Sequence, residues 1–550
     1  MRDVQTDVVV LGSGAAGLSA ALTAAVGGAK VTVLEATPLF GGTTAVSGGG
    51  MWLPGNTLDP DYRDSLEDAR VYLRRLTLGY TPEPVIDRYL AVSGGVTDFF
   101  AANSPLTFSA DIGRPDYHAP WEGSSLTSRT VFPTPYELPR LGELEPKVRR
   151  PGPGGILPIQ HSEELQFLRA GNADGINELI RERLAKKVAL RGLALVGGLM
   201  EGCLRHGVTF VAGARGRRLL TENGRVVGLH AGENGGGTEY RARLGVILAS
   251  GGFEWNRELW KAFVAVPWDG PATPPVNHGD GLVMASSIGA KLANLDKVTW
   301  CQSCYAGEVY DGQPYVRSGM CGGFPGEILV NRRGKRFANE LLNYNDIGRV
   351  FTHFDPHTYE YDNHPAFAIG DRQTRERVVR HMTPSATAKD PGDGWVEGAT
   401  LREVAEKLGI DADGLAAQVG EFNANAAGGT DPVFHRAEAP WELHVLEVAK
   451  GVTSGYREQL GETIVPIKDP PFVGHRVRAG LFGTRGGPVI DENSRILGWD
   501  ERPIRGLYGA GNVVAHPFRW AYPGGGGTLG PAVTFGHIAG RGIVEAGGRD

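Results

Sequence analysis

Long apolar runs, cysteine and blocks of a single charge are what this 550-residue chain lacks. No uninterrupted apolar stretch approaches the roughly 20 residues that cross a bilayer, so no membrane span is expected. The four cysteines, Cys203, Cys301, Cys304 and Cys321, are too few for a disulfide framework at this length. Cys301-x-x-Cys304 has no second pair at zinc spacing, so ordinary reduced thiols and no metal are expected. The 56 Lys and Arg residues against 62 Asp and Glu leave a net charge of -6 with no basic block, which argues against a nucleic-acid partner. The N-terminal MRDVQTDVVVLGSG enters a strand pattern at once, without a separate apolar region or cleavage site, so a cytoplasmic protein is expected.

Glycine is abundant instead: 81 residues, about twice the usual share. They are not periodic, which excludes collagen. Ordering glycine costs more backbone entropy than ordering any other residue, so dispersed clusters suggest a backbone that repeatedly approaches a large ligand. The chain is too long for one core, and two or more domains are expected.

Residues 7–11, DVVVL, form the continuous apolar run of a buried parallel strand. GSGAAG follows at 12–17, then an Ala-rich helix, then a second strand, KVTVLEA, ending on an acid. In this strand–turn–helix–strand setting the glycines read as a dinucleotide-binding turn. Gly12 permits the turn. Gly14 lets a pyrophosphate reach the helix start at Ala15 and Ala16, where free N–H groups and the helix dipole favour anions. Gly17 lets the helix pack on the strand, and Glu35 can accept from ribose hydroxyls. The small-residue loop FGGTTAVSGGGMWLPG at 40–55 offers Gly42, Thr43, Thr44, Ser47, Gly48 and Gly49. A simple nicotinamide enzyme has no need of it directly after strand two, whereas a larger dinucleotide such as FAD does. No second GxGxxG unit is visible, which disfavours an NAD(P) partner.

Residues 101–165 are Pro-rich and aperiodic, and read as a lid or pocket wall, their aromatics favouring a packed one. A helical stretch is expected over 174–206 and a hairpin around Asn223-Gly224. GVILASGGFEWN at 245–256 reads as another buried strand, running into Ala249 and Gly251. The pattern then changes, and the sheet pattern resumes near 473. GLYGAGN at 506–512 brings Gly511 and Asn512, and RWAYPGGGGTLGPAVTFG follows at 519–536. The expected fold is α/β: a Rossmann-type FAD-binding domain split into 1–269 and 473–550, with an α+β catalytic domain inserted at 270–472. The four glycines at 524–527, with Thr528 and Leu529, are expected to run beside the flavin ring and its substrate.

Taken in order, VLGSGAAGLSAALTAA, GGTTAVSGGGMWLP, GVILASGGFEWN, GDGLVMASSIGAKL, VNRRGKRFANE, GTRGGPVID and GLYGAGN…YPGGGGTLGPAVTFG resemble the 3-ketosteroid Δ1-dehydrogenase family of FAD-dependent oxidoreductases, within the fumarate reductase/succinate dehydrogenase flavoprotein group. The resemblance covers nearly the whole chain and implies non-covalent FAD, with the flavin ring at the domain junction. It implies that Tyr522 O–H and Gly526 N–H hold a ketone oxygen. Tyr344 removes a proton from the adjacent carbon, supported by Tyr117 in PDYHAP, and the flavin takes hydride from the next carbon. Tyr136 competes for the Tyr117 position. The chemistry is coherent: removing a proton beside a ketone puts charge on its oxygen, where two fixed donors stabilise the enolate. A phenol with a free pKa of about 10 needs a neighbour to act as base.

Steroid enzymes of the family tend to carry GHTYPGPGG, NESMPY and WWGPT where this chain has RWAYPGGGG, NELLNY and TWCQS. Trp520 and Trp121 would shorten the pocket and Arg519 would pair an acid. The substrate would then be cyclohexanone or a 4-oxocyclohexanecarboxylate rather than a steroid, unless these side chains face away. The electron acceptor is open, a quinone being one option. Rival expectations are a fumarate-reductase-like ene-reductase and a non-catalytic flavin electron carrier.

Overall fold

Val8, Val9 and Val10 are wholly excluded from solvent in the first strand, β1 (Arg2–Leu11). The continuous apolar run is there because β1 is an interior parallel strand, covered on both faces. The computed structural model describes residues 2–152, 158–159, 163, 173–232, 237–303, 308–318, 322–374, 394–452 and 464–547. Cys304 and Cys321 lie outside the described residues, while Cys203 and Cys301 are buried free thiols.

β1 is flanked by two parallel neighbours, β2 (Val31–Leu34) and the strand Thr238–Leu248. Thr209–Val211 extends the sheet beyond β2, and the C-terminal strand Pro503–Gly509 joins parallel to Thr238–Leu248. Chain from both ends therefore builds one sheet, and its mouth lies where the strands end in glycine. Helix α1 (Ala15–Val26) packs against the C-terminal helix Leu529–Gly547. The crossing needs small residues: a Cβ on Gly536 would stand 2.4 Å from Ala16 O, and one on Gly540 2.4 Å from Ala20 O.

The Asn223-Gly224 hairpin forms as expected, with both residues at positive φ (49° and 72°), as a primed turn requires. The stretch 174–206 is two helices, Ala173–Ala185 and Arg191–Arg205, divided by a short strand Val188–Ala189 that pairs with Tyr136–Glu137.

A second sheet is built around the strand Phe472–Thr484, which pairs with Val298–Ser303, Ala366–Gly370, Trp395–Gly398 and Gly270–Pro271. The boundary expected at 472/473 is therefore displaced. This apolar strand belongs to the inserted sheet, and the return to the first sheet begins at Arg495–Leu497. An apolar run looks the same in either sheet, and only pairing separates them.

Candidate active site

The glycine turn is built as its sequence suggests. Gly12 has φ +108°, and a Cβ there would lie 2.3 Å from Ala249 O. A Cβ on Gly17 would lie 1.9 Å from Gly12 O, so helix and turn are in contact. Gly14 brings no side chain to cap α1; the 40–55 loop does so instead, Thr44 Oγ1 accepting from Ala15 N–H at 2.9 Å. The amides of Gly14 and Ala16 have no partner among the described residues. Buried Glu35 accepts from the Ser13 hydroxyl at 2.6 Å and from Thr37 N–H at 3.0 Å. The loop is partly self-satisfied: Ser47 Oγ donates to Thr44 O at 2.7 Å, and Thr43 Oγ1 accepts from Asn277 Nδ2 at 3.1 Å. Gly42 and Gly48 have open space where a Cβ would stand, whereas one on Gly49 would meet Arg191 C at 2.2 Å. Across the mouth, Gly511 lies against Ala16, and Asn512 Oδ1 is buried without a partner among the described residues.

These residues line one cavity of about 590 Å³, together with Ala249, Gly251, Thr528 and Leu529. Gly17 and Gly527 lie outside its wall, Gly527 against the ring of Tyr522. The same cavity reaches Tyr117, Tyr344, Tyr522 and Gly526. Ring centroids lie 5.8 Å apart for Tyr117–Tyr344, 5.7 Å for Tyr117–Tyr522 and 5.3 Å for Tyr344–Tyr522. Tyr136 is elsewhere, its hydroxyl donating to Glu201 Oε2 at 2.7 Å, which leaves Tyr117 as the phenol at the cavity.

Each tyrosine is held by its own segment. Asn343 caps the helix Tyr344–Val350, its side chain accepting from Asn345 N–H and Asp346 N–H, which sets Tyr344 at the first helical position. Tyr117 N–H donates to Pro523 O at 3.0 Å, and the Tyr72 hydroxyl donates to the same carbonyl at 2.7 Å, so the two loops are tied together. Beneath Tyr117, Asp116 accepts from Trp52 Nε1 at 2.7 Å and from Arg129 Nη1 at 2.8 Å, all three buried.

The glycine run has a different cause from the one expected. Gly526 has φ +88°, and its Cβ would lie 2.3 Å from Gly50 C. A Cβ on Gly524 would meet Trp52 Cδ1 at 2.8 Å, and one on Gly525 would meet Thr130 Oγ1 at 3.0 Å. The run is thus pressed against β3 (Met51–Trp52) and a neighbouring strand Thr130–Pro133 rather than cleared for a ligand alone. Trp52 N–H donates to Gly526 O at 3.1 Å, which fixes that peptide. Gly526 N–H has no hydrogen-bond partner among the described residues and lies at the cavity wall.

Two arginines missed in the sequence set the electrostatics. Arg485, inside GTRGGPVID, is wholly buried, with no carboxylate paired to it among the described residues. Its Nη1 donates to Arg519 O at 2.9 Å and Ala521 O at 2.5 Å, its Nη2 has no partner among the described residues, and its guanidinium carbon lies 5.2 Å from the Tyr522 ring centre. Burial pulls its pKa down to about 10. Arg114 lines the cavity beside Tyr117. Burial raises the Tyr117 phenol, as does nearby Tyr522, while Arg114 and the Tyr344 hydroxyl oppose the rise. Tyr344 is pushed well above an ordinary phenol by burial and by its two phenol neighbours. Trp441, 4.2 Å from Tyr117 between ring centres, and Phe482, 5.4 Å from Tyr344, complete the aromatic surround.

Trp121, Arg519 and Trp520 do not line the cavity. Trp121 stacks on His118 at 4.4 Å with Arg75 over its face at 4.1 Å. Trp520 packs edge-on against Tyr80 at 5.9 Å with Lys297 on its face at 5.7 Å, and Arg519 lies over both Tyr80 and Trp520. These contacts turn the side chains away from the phenols, so, contrary to expectation, they neither shorten the pocket nor offer Arg519 to an acid group in it.

Comparison with known proteins bears on the cofactor and the chemistry. Residues 7–529 match the FAD binding domain family. The chain is 35% identical to a 4-oxocyclohexanecarboxylate 2-dehydrogenase of Sinomonas cyclohexanicum, covering 99% of this chain and 94% of the relative. It is 33% identical to a 3-oxosteroid 1-dehydrogenase of Mycolicibacterium smegmatis, covering 98% and 97%. The fold superposes with a TM-score of 0.87 on the crystal structure of 3-ketosteroid delta1-dehydrogenase from Sterolibacterium denitrificans in complex with 1,4-androstadiene-3,17-dione, at 29% identity over 98% of this chain and all of that one.

Proposed function

The chain belongs to the FAD binding domain family and, over its full length, to the ketosteroid dehydrogenase family within it, and we propose that it introduces a double bond beside the carbonyl of a cyclic ketone. It is an FAD-dependent oxidoreductase acting on CH–CH groups. The residues at the mouth of the first sheet fit the cofactor. The free amides of Gly14 and Ala16 at the start of α1 suit a pyrophosphate, Glu35 suits a ribose, and the orphaned Asn512 Oδ1 has a donor to find. Bound FAD supplies a two-electron acceptor for the hydride that leaves the β-carbon.

The chain's own residues do the rest. Tyr522 O–H and the unpaired Gly526 N–H hold the ketone oxygen and stabilise the charge that grows on it. Tyr344, as a phenolate to which Tyr117 donates a hydrogen bond, takes the proton from the adjacent carbon and becomes a neutral phenol. The buried charge of Arg485 favours the phenolate before the step and the enolate after it. The observation that carries this reading is the mutual contact of three phenols from distant segments at one end of a cavity whose other end is the dinucleotide turn.

The test is anaerobic. Native holoenzyme is mixed with a Δ4-3-ketosteroid, cyclohexanone or 4-oxocyclohexanecarboxylate while the flavin band near roughly 450 nm is followed. Bleaching by at least one ketone is expected. A yellow protein that none of them bleaches would favour an electron carrier.

A further inference from the structure

We propose that Arg114 selects a substrate bearing a carboxylate, so that the ring held by Tyr522 and Gly526 is an oxocyclohexane acid whose acid group pairs with this guanidinium. The proposal rests on the desaturase reading and adds the charge of its substrate.

Arg114 stands on the cavity wall with Ser109, Asp111 and Phe132. Its Nε donates to Asp111 Oδ2 at 2.5 Å, and its guanidinium carbon is 6.0 Å from the Phe132 ring centre. The side chain is only 15% exposed. Nη1 and Nη2 have no partner among the described residues. One of the five donors of this charged group thus meets a carboxylate oxygen, and the four on Nη1 and Nη2 meet no described residue. A cation placed so is poorly suited to an uncharged hydrocarbon ring, because its unpaired N–H groups would stay desolvated. A carboxylate on the Nη edge completes it with two parallel charge-assisted bonds.

Position agrees with chemistry. The Arg114 Cδ lies 3.4 Å from where a Cβ of Gly525 would stand, and Gly525 is one Cα step of about 3.8 Å from Gly526. The stem of Arg114 thus stands beside the residue next to the ketone-holding amide, which is the neighbourhood a compact ring with an acid group would occupy. Arg114 also feels the Tyr117 and Tyr344 phenols, which places its charge at the reacting end of the cavity.

The experiment compares kcat/KM for 4-oxocyclohexanecarboxylate with that for uncharged 4-methylcyclohexanone, in native holoenzyme and in Arg114→Gln and Arg114→Lys. The native enzyme is expected to prefer the acid by about 100-fold. Arg114→Gln should lower the acid-to-neutral ratio by about 100-fold, mainly through KM, and Arg114→Lys by less, since it keeps the charge and loses the fork. Flavin absorbance and melting temperature report folding. Should Arg114→Gln not fold, the native preference and Arg114→Lys carry the test. An equal fall on both ketones would mean that Arg114 acts through the phenols, and would overturn the proposal. A native enzyme indifferent to charge, or one bleached by a 3-ketosteroid and by neither small ketone, would also overturn it while leaving the desaturase reading intact. If no cyclic ketone bleaches the flavin, that reading falls and this proposal with it.

Discussion

Replacing Tyr522 with Phe removes one oxygen and little else. The ring is 6% exposed, stacks on Tyr117 with planes 16° apart, and carries the Arg485 guanidinium carbon 5.2 Å from its centre. All of those contacts survive in Phe. The hydroxyl itself meets Thr528 Oγ1 only at 3.5 Å, the outer limit of a hydrogen bond, and interacts with the Tyr344 hydroxyl. Its loss should cost less than about 1 kcal/mol of stability, a melting shift no larger than about 2–4 °C. The kinetic cost is of another size. One of two donors on a developing oxyanion contributes about 3–4 kcal/mol to the barrier, or about 10²–10³ in rate. The assay is single-turnover flavin reduction at saturating ketone, with melting followed in parallel. A rate within threefold of native would refute the assignment. So would a rate loss accompanied by an equally severe loss of stability, which would mean that the hydroxyl serves the fold.

Three further outcomes are expected. The active form of Tyr344 is the phenolate, which appears above its pKa; burial raises that pKa, so flavin reduction should quicken from pH 7 to 9 and stop quickening near the point, about 10, where Arg485 loses its proton. Arg485→Met should move the rising limb to higher pH and Arg485→Lys should move it less, whereas a flat native profile would contradict the assignment. Gly526→Ala places a Cβ 2.3 Å from Gly50 C at φ +88°, so FAD-loaded soluble protein should be lost, a penalty above about 4 kcal/mol; a normal yield would show that the glycine run is not pressed on β3. Trp520→Ala should change the steroid-to-cyclohexanone kcat/KM ratio less than about twofold, because the indole packs on Tyr80 and Lys297; a large change would return it to the substrate site.

The nucleotide half was legible because its signal is local. Gly12 to Glu35 is one strand–turn–helix–strand segment, and Gly12 and Gly17 meet atoms within it or at the adjoining strand end, Ala249. The phenols carry no such signal. Tyr117, Tyr344 and Tyr522 are far apart in the chain, and only the resemblance joined them in advance. Side-chain direction was not legible: whether Trp520 faces a ligand depends on Tyr80 and Lys297, which no local pattern reveals. The glycines at 524–527 did announce a close approach, but the approaching atoms are largely Trp52, Thr130 and Gly50. Arg485 lies inside GTRGGPVID, yet burial without a carboxylate is a property of the fold, and the place of Arg114 on the cavity wall, three residues before Tyr117, is likewise set by packing and not by local sequence.

The most direct test is anaerobic stopped-flow reduction of the flavin by a cyclic ketone that bleaches native enzyme, repeated with FAD-loaded Tyr344→Phe. If a phenol at this position strips the carbon beside the ketone, the variant should bind the ketone and reduce its flavin at least about 10²–10⁴-fold more slowly. Reduction at the native rate would mean that the proton leaves by another route.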